Sequence, residues 1–302
     1  MRPRAFLLLV VLAALAPASG CGEATPSFDG DSAHALIVEQ CELGPRYPGS
    51  EGHDAMVDWM VERLRPLADE VATQRFTAPF FGEETELVNV IASFRPDARE
   101  RLLLATHYDT RAVADRDPDP SSRGIPIPGA NDGGSGVAVL IELAGILSER
   151  QPPVGVDLVF FDAEDGGDGG GFDEWCVGSS HYASNIGDYC PRYAVVVDMV
   201  GDADLSIPVE GNSAAAAPLP VRRVWDAARR VGARRFHERR GPFVYDDHVP
   251  LIRAGIPAAL VIDFEYEHWH TLEDTPDKCS PESLTEVGSV LVELVYSARP
   301  DR

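Results

Sequence analysis

Five places in this 302-residue chain gather acids and histidines in patterns that could do metal-assisted chemistry. They are His107-Tyr108-Asp109, Asp132 within Gly129-Ala130-Asn131-Asp132-Gly133-Gly134, Asp162-Ala163-Glu164-Asp165, Asp198, and Trp269-His270. Each alone is ordinary, since a single Asp at a strand end usually serves as a cap or turn residue. Delivered together to one place, so many carboxylates would repel one another unless a cation sat among them. Asp, Glu and His are donors that suit Zn²⁺.

The elements around these residues explain how they could meet. Strand-like apolar runs occur at Leu87–Phe94, Arg101–Thr106, Val156–Phe161, Tyr193–Met199 and Ala258–Ile262. Amphipathic helical patterns lie between and around them, at His53–Leu67, Val137–Leu147, Val221–Val231 and Pro281–Ser297. This alternation predicts an α/β fold, with a mostly parallel central sheet and helices on both faces. Catalytic groups in such sheets sit just beyond the carboxyl ends of the strands. Four of the five places follow a strand in this way, and Asp132 lies in a glycine-rich turn that opens a helix.

Composition bounds the rest. A chain of this length with 44% hydrophobic residues can bury one large core. Arg2 and Arg4 followed by the short apolar run Phe6–Leu15 read as an export signal, too short to span a bilayer with these flanks. Ala18-Ser19-Gly20-Cys21 resembles the lipobox of bacterial lipoproteins, in which the cysteine is lipidated. The expected organisation is therefore a signal peptide at 1–20, a lipidated tether at 21–31 and a single zinc-dependent catalytic domain at 32–302. The expected location is the bacterial cell envelope, on the periplasmic side or the cell surface. The formal charge is −23, and loss of Arg2 and Arg4 with the signal takes it to −25. Such a chain repels nucleic acid and anionic lipid, so membrane contact is expected only through the anchor. A monomer is expected. Cys41, Cys176, Cys190 and Cys279 remain after Cys21, an even number in an oxidising compartment, and Cys176–Cys190 is the expected disulfide.

The order His-x-Asp, Asp in a GANDGGSG turn, an acidic pair, Asp, and His before Thr-Leu-Glu-Asp-Thr resembles the zinc-dependent aminopeptidase superfamily. The resemblance covers Gly44 to Ser297. It implies that Asp132, Asp165 and His270 hold a zinc and that Glu164 is the general base. His107 and Asp198 match the pair that holds a second metal in the aminopeptidases, and Asp109 matches the acid that orients that histidine. Asp165 departs from the pattern, since Glu is common there.

Within that superfamily, three features resemble the animal-type glutaminyl cyclases. An insert, Gly166–Val177, carries Trp175 between the acidic pair and Gly178-Ser179. Asp246-Asp247-His248-Val249-Pro250 resembles a cyclase segment, with Leu251 in place of its phenylalanine, and Trp269 directly precedes His270. Pro45–Ser50 also fits the cyclase pattern, whereas the GANDGGSG turn looks more like a dinuclear aminopeptidase. The cyclase resemblance implies one zinc, a substrate at the N-terminus of a peptide or protein, and conversion of N-terminal glutamine to pyroglutamate. It implies that Asp246 shares a hydrogen bond with Asp198, that Glu164 moves the proton, and that Trp175 and Trp269 wall the substrate pocket. The alternative is a dinuclear aminopeptidase with two zincs. A third reading, an envelope lipoprotein that keeps the fold only for binding, is disfavoured by the intact Glu164 and zinc-ligand positions. His248 reads as a buried structural histidine. His34, His53, His181, His237 and His268 read as surface or helix residues without a role, and the run Asp162–Glu174, apart from Glu164 and Asp165, as a solvated glycine-rich loop or, alternatively, a calcium-binding one.

Overall fold

The computed structural model describes residues 25–167 and 171–299. The expected signal peptide and the lipidation site Cys21 lie outside the described residues. The expected tether gives way to folded chain before its end: Phe28 is buried, and Asp29 caps α1 (Gly30–Glu42) by accepting from Ser32 N at 3.0 Å. Helix α2 (Glu51–Leu64) is capped in the same way by Ser50, which accepts from His53 N.

A long antiparallel hairpin, β1 (Glu70–Phe80) and β2 (Glu83–Phe94), forms one side of the sheet. Strands β3 (Arg101–His107), β4 (Gly155–Phe161) and β5 (Ala194–Asp198) are buried along their whole length. Two short parallel strands, β6 (Ile207–Val209) and β7 (Phe236–Arg240), pair apart from this sheet, and β8 (Ala258–Ile262) closes its far side. The order is β1-β2-β4-β3-β5-β8. The pairs β4·β3, β3·β5 and β5·β8 are parallel, while β1·β2 and β2·β4 are antiparallel.

Side chains alternate between the two faces, so an unbroken apolar strand supplies two cores. Leu102, Leu104, Val156, Leu158, Val195 and Val197 pack into one core with α1, α2, α3 (Gly134–Glu149) and two later helices. Leu103, Ala105, Val159, Phe161, Val196 and Leu260 pack on the other face with α4 (Val177–Ser184). The chain then forms α5 (Gly211–Ala216) and α6 (Pro218–Val231), which joins the first core. Helix α7 (His248–Arg253) adds Leu251 to the second core, and α8 (Pro281–Tyr296) completes the first. The mostly parallel α/β sheet with helices on both faces is thus the observed architecture.

The expected Cys176–Cys190 disulfide is corrected. Cys41, Cys176, Cys190 and Cys279 are all free. Cys176 is buried at the start of α4 with its thiol turned inward to Glu164, and Cys190 is exposed.

Candidate active site

Parallel pairing sets the strand ends level. His107 lies opposite Phe161, and Asp198 opposite Ile262, so residues at and just past these positions converge on one edge. Asp132 reaches the same edge from the turn before α3. That turn can come so close only because residue 133 is glycine: a Cβ there would sit 2.6 Å from the His107 carbonyl oxygen and 2.7 Å from its ring. Asp274 fixes the turn by accepting from Asn131 N at 2.9 Å and Asp132 N at 3.2 Å. Buried Arg46 braces it further by donating to the carbonyls of Pro128 and Gly129.

The result is two overlapping donor sets that share Asp132. In the first, His270 Nε2 lies 3.2 Å from Asp165 Oδ2 and 3.7 Å from Asp132 Oδ2. In the second, His107 Nε2 lies 3.1 Å from Asp132 Oδ1 and 3.0 Å from Asp198 Oδ1. The first set fits zinc on its own chemistry. Asp132 Oδ2 and Asp165 Oδ2 are buried without a hydrogen-bond donor, a costly arrangement that a cation would relieve. His270 Nδ1 lies 3.0 Å from Asp115 Oδ1, and an ionised carboxylate can only accept. The ring proton therefore belongs on Nδ1, which leaves Nε2 to face the two carboxylates as a ligand.

Around these donors stands a shell that sequence reasoning missed in part. Arg111 donates to Asp115 and, through Nη1, to Asp165 Oδ1 at 3.2 Å, tying two ligand environments together. The spacing of Arg111 and Asp115 just after His107-Tyr108-Asp109 was the available signal. Asp109 accepts from Glu164 N at 3.0 Å and Asp165 N at 3.2 Å, and lies 3.5 Å from His107 Nδ1. His53 is not a residue without a role. It is buried, with Nε2 2.9 Å from Asp162 Oδ2 and 3.0 Å from the Tyr108 hydroxyl. Asp162 is likewise no solvated loop residue: it is fully buried and accepts from Val88 N. Gly171–Glu174 of the same run are exposed, as expected. His248 is buried against Glu210 at 3.1 Å.

A small cavity of about 50 Å³ opens over the donors, with Glu164, Asp198 and Asp246 also on its lining and Trp175 and Trp269 among its walls. Trp175 packs against Gly167, where a Cβ would overlap the indole, and its ring stands parallel to that of His270. The guanidinium of Arg111 sits 4.8 Å over the same indole. Four non-glycine residues at this edge hold left-handed backbone: Ala163, Cys176, Met199 and His270. Such conformations cost energy and concentrate where a site over-determines its backbone. Burial pushes the Glu164 carboxyl well above its usual range; His107 opposes this, while Asp246 and Asp247 reinforce it. Burial, then Asp198 and Asp247, push Asp246 well up too.

Known proteins share this fold. A Bacteroides thetaiotaomicron glutaminyl cyclase superposes with a TM-score of 0.89 at 33% identity, over 91% of this chain and 100% of that one. A Zn-dependent exopeptidase from Parabacteroides distasonis superposes with a TM-score of 0.87 at 35% identity, again over 91% and 100%. In sequence, a glutaminyl-peptide cyclotransferase of Drosophila melanogaster is 27% identical over 266 residues, 77% of this chain and 71% of that protein. The profile of peptidase family M28 matches residues 89–295, which takes in His107, Asp132, Glu164, Asp165, Asp198, Asp246 and His270. With that stretch carrying both donor sets and most of the sheet, the chain belongs to peptidase family M28.

Proposed function

We propose that this member of the family is a glutaminyl-peptide cyclotransferase, converting the N-terminal glutamine of peptides to pyroglutamate with release of ammonia. The observation that carries the reading is Asp246, buried in the same cavity as Asp198 and electrostatically coupled to it. Two carboxylates so placed share a proton more cheaply than they both ionise. A protonated Asp246 that donates to Asp198, with Asp198 already 3.0 Å from His107, would leave the second donor set poorly suited to a second metal. The alternative dinuclear aminopeptidase needs that set free.

Asp132, Asp165 and His270 would hold the single zinc, which supplies Lewis acidity toward the substrate γ-carboxamide when bound. Glu164 follows Ala163 on left-handed backbone and lines the cavity without belonging to either donor set. It accepts a proton from the α-amine as the amine nitrogen bonds to the γ-carbonyl carbon. The same proton goes to the departing amide nitrogen, which leaves as ammonia when the C–N bond breaks. Trp175 and Trp269 wall the small side chain and exclude water, and the Trp269 indole N–H donates to the substrate carbonyl.

The purified domain, incubated with a glutaminyl peptide and separately with a leucyl amide, should release ammonia from the first and negligible amine from the second. Elemental analysis after dialysis should give one zinc per chain. Leucyl-amide hydrolysis that requires two zincs would move the assignment to the aminopeptidase. We also propose export as a lipoprotein through Cys21. Labelled fatty acid should mark the parent and not Cys21→Ser, and equal labelling would refute the anchor.

A further inference from the structure

The segment after Glu164 leaves the sheet edge and returns almost to where it left. Three backbone hydrogen bonds zip its neck: Cys176 N to Glu164 O at 2.9 Å, Val177 N to Ala163 O at 3.0 Å, and Gly178 N to Asp162 O at 2.9 Å. Trp175 stands at the end of this excursion, directly before Cys176. Cys176 has no exposed surface, and its left-handed φ of 55° turns the thiol into the site. Its carbonyl is held by Ser180 N at 2.9 Å and Ser179 Oγ at 3.1 Å, so its backbone is fixed on both sides of the Cα. Cys176 Sγ donates to Glu164 Oε1 at 3.2 Å, the only side-chain donor to that carboxylate among the described residues.

We infer that Cys176 is a positioning residue: its thiol fixes the Glu164 carboxylate toward the substrate amine and couples that orientation to the loop that presents Trp175. The inference rests on the reading of Glu164 as the proton carrier. A thiol suits the task geometrically, because its long C–S bond reaches the carboxylate from the loop neck while a weak donor leaves the carboxylate available to substrate. The neighbouring backbone bonds already hold the loop, so the thiol is not needed to close it.

The test uses Cys176→Ala and Cys176→Ser in the full domain, each alone and combined with Glu164→Gln, with kcat, KM, zinc content and Tm measured. Alanine should lower kcat about tenfold for a glutaminyl peptide with KM within about twofold and zinc unchanged, as loss of a hydrogen bond to a charged group predicts. Serine, which keeps a donor on a shorter arm, should restore part of the loss. In the Glu164→Gln background the alanine change should cost nothing further, because the group it positions no longer acts. A parental kcat for Cys176→Ala, or an equal loss in both backgrounds, overturns the inference. If Glu164→Gln alone keeps parental turnover, the proton-carrier reading falls and the positioning role with it. Glycine suits the left-handed backbone, so Cys176→Gly takes the place of alanine if that variant fails to fold.

Discussion

Two buried glutamates in this molecule have opposite surroundings. Glu210 accepts from the backbone N–H groups of Asn212, Ser213 and Val244, from Ser213 Oγ, and faces His248. Burial alone would raise its pKa, but His248 and then the backbone donors hold it down at about 2. Among the described residues Glu164 has a single thiol as side-chain donor, and burial prevails there. Burial does not decide what a carboxylate does; the number of donors built around it does. A carboxylate saturated with donors is a fixed acceptor, here the cap of α5 and the brace of the segment leading to Asp246. One left short of donors can take up a proton and give it back, which is what general acid–base work requires.

The contrast is sharpest in turnover. Glu164→Gln keeps the shape and removes the proton acceptor, so turnover of a glutaminyl peptide should fall by roughly 10²- to 10⁴-fold. Zinc content should hold, because Asp132, Asp165 and His270 are untouched. Near-parental turnover in a zinc-loaded Glu164→Gln enzyme would erase the distinction between the two glutamates.

Glu210→Ala should produce the reverse pattern. It strands buried donors and His248, so unfolding stability should drop by about 2–4 kcal/mol. For a domain of this size that is on the order of 10 °C in Tm. Below the transition, turnover should stay within a few-fold of the parent. A loss as deep as that of Glu164→Gln with an unchanged Tm would place Glu210 in the chemistry and break the comparison.

Much of this was legible in the sequence because parallel strands are unbroken apolar runs, and polar residues just past them must share an edge. Glu164, Asp165, Asp198 and His270 could be read that way, Asp132 was legible from its glycine-rich turn at a helix start, and all five line one cavity. Strand β1 was not legible. As an edge strand with half its residues in water it reads Glu-Val-Ala-Thr-Gln-Arg, without a clean apolar run. The partnership of His53 with Asp162 spans 109 residues of chain, and no local pattern announces it. The expected disulfide failed for a conformational reason: nearness in sequence says nothing about where the left-handed backbone of Cys176 aims its sulfur. Glu210 hid behind an ordinary role, since Glu-Gly-Asn-Ser before alanines signals no more than a helix start.

The smallest effect tests the charge on Glu210 directly. An unfolded glutamate titrates near ~4.3, and in the folded protein this one is held to about 2. A folded pKa below the unfolded one means the unfolded state binds more protons between the two values. The stabilisation is therefore complete above pH ~4.3 and drains away as pH falls toward 2. Glu210→Gln cannot titrate and has no such window. The other carboxylates titrate alike in both proteins, so they cancel when the two stabilities are subtracted. Urea unfolding at a series of pH values should show the parent's advantage over Glu210→Gln constant above pH ~5 and shrinking steadily from pH ~4 down to the lowest pH at which both fold. His248 faces the same carboxylate, so His248→Gln should weaken the effect by raising the folded pKa of Glu210 and narrowing the window. A parent-minus-variant difference that stays flat through the acid range would mean that Glu210 gains nothing from its charge, and the donor count would then fail to explain why the two glutamates differ.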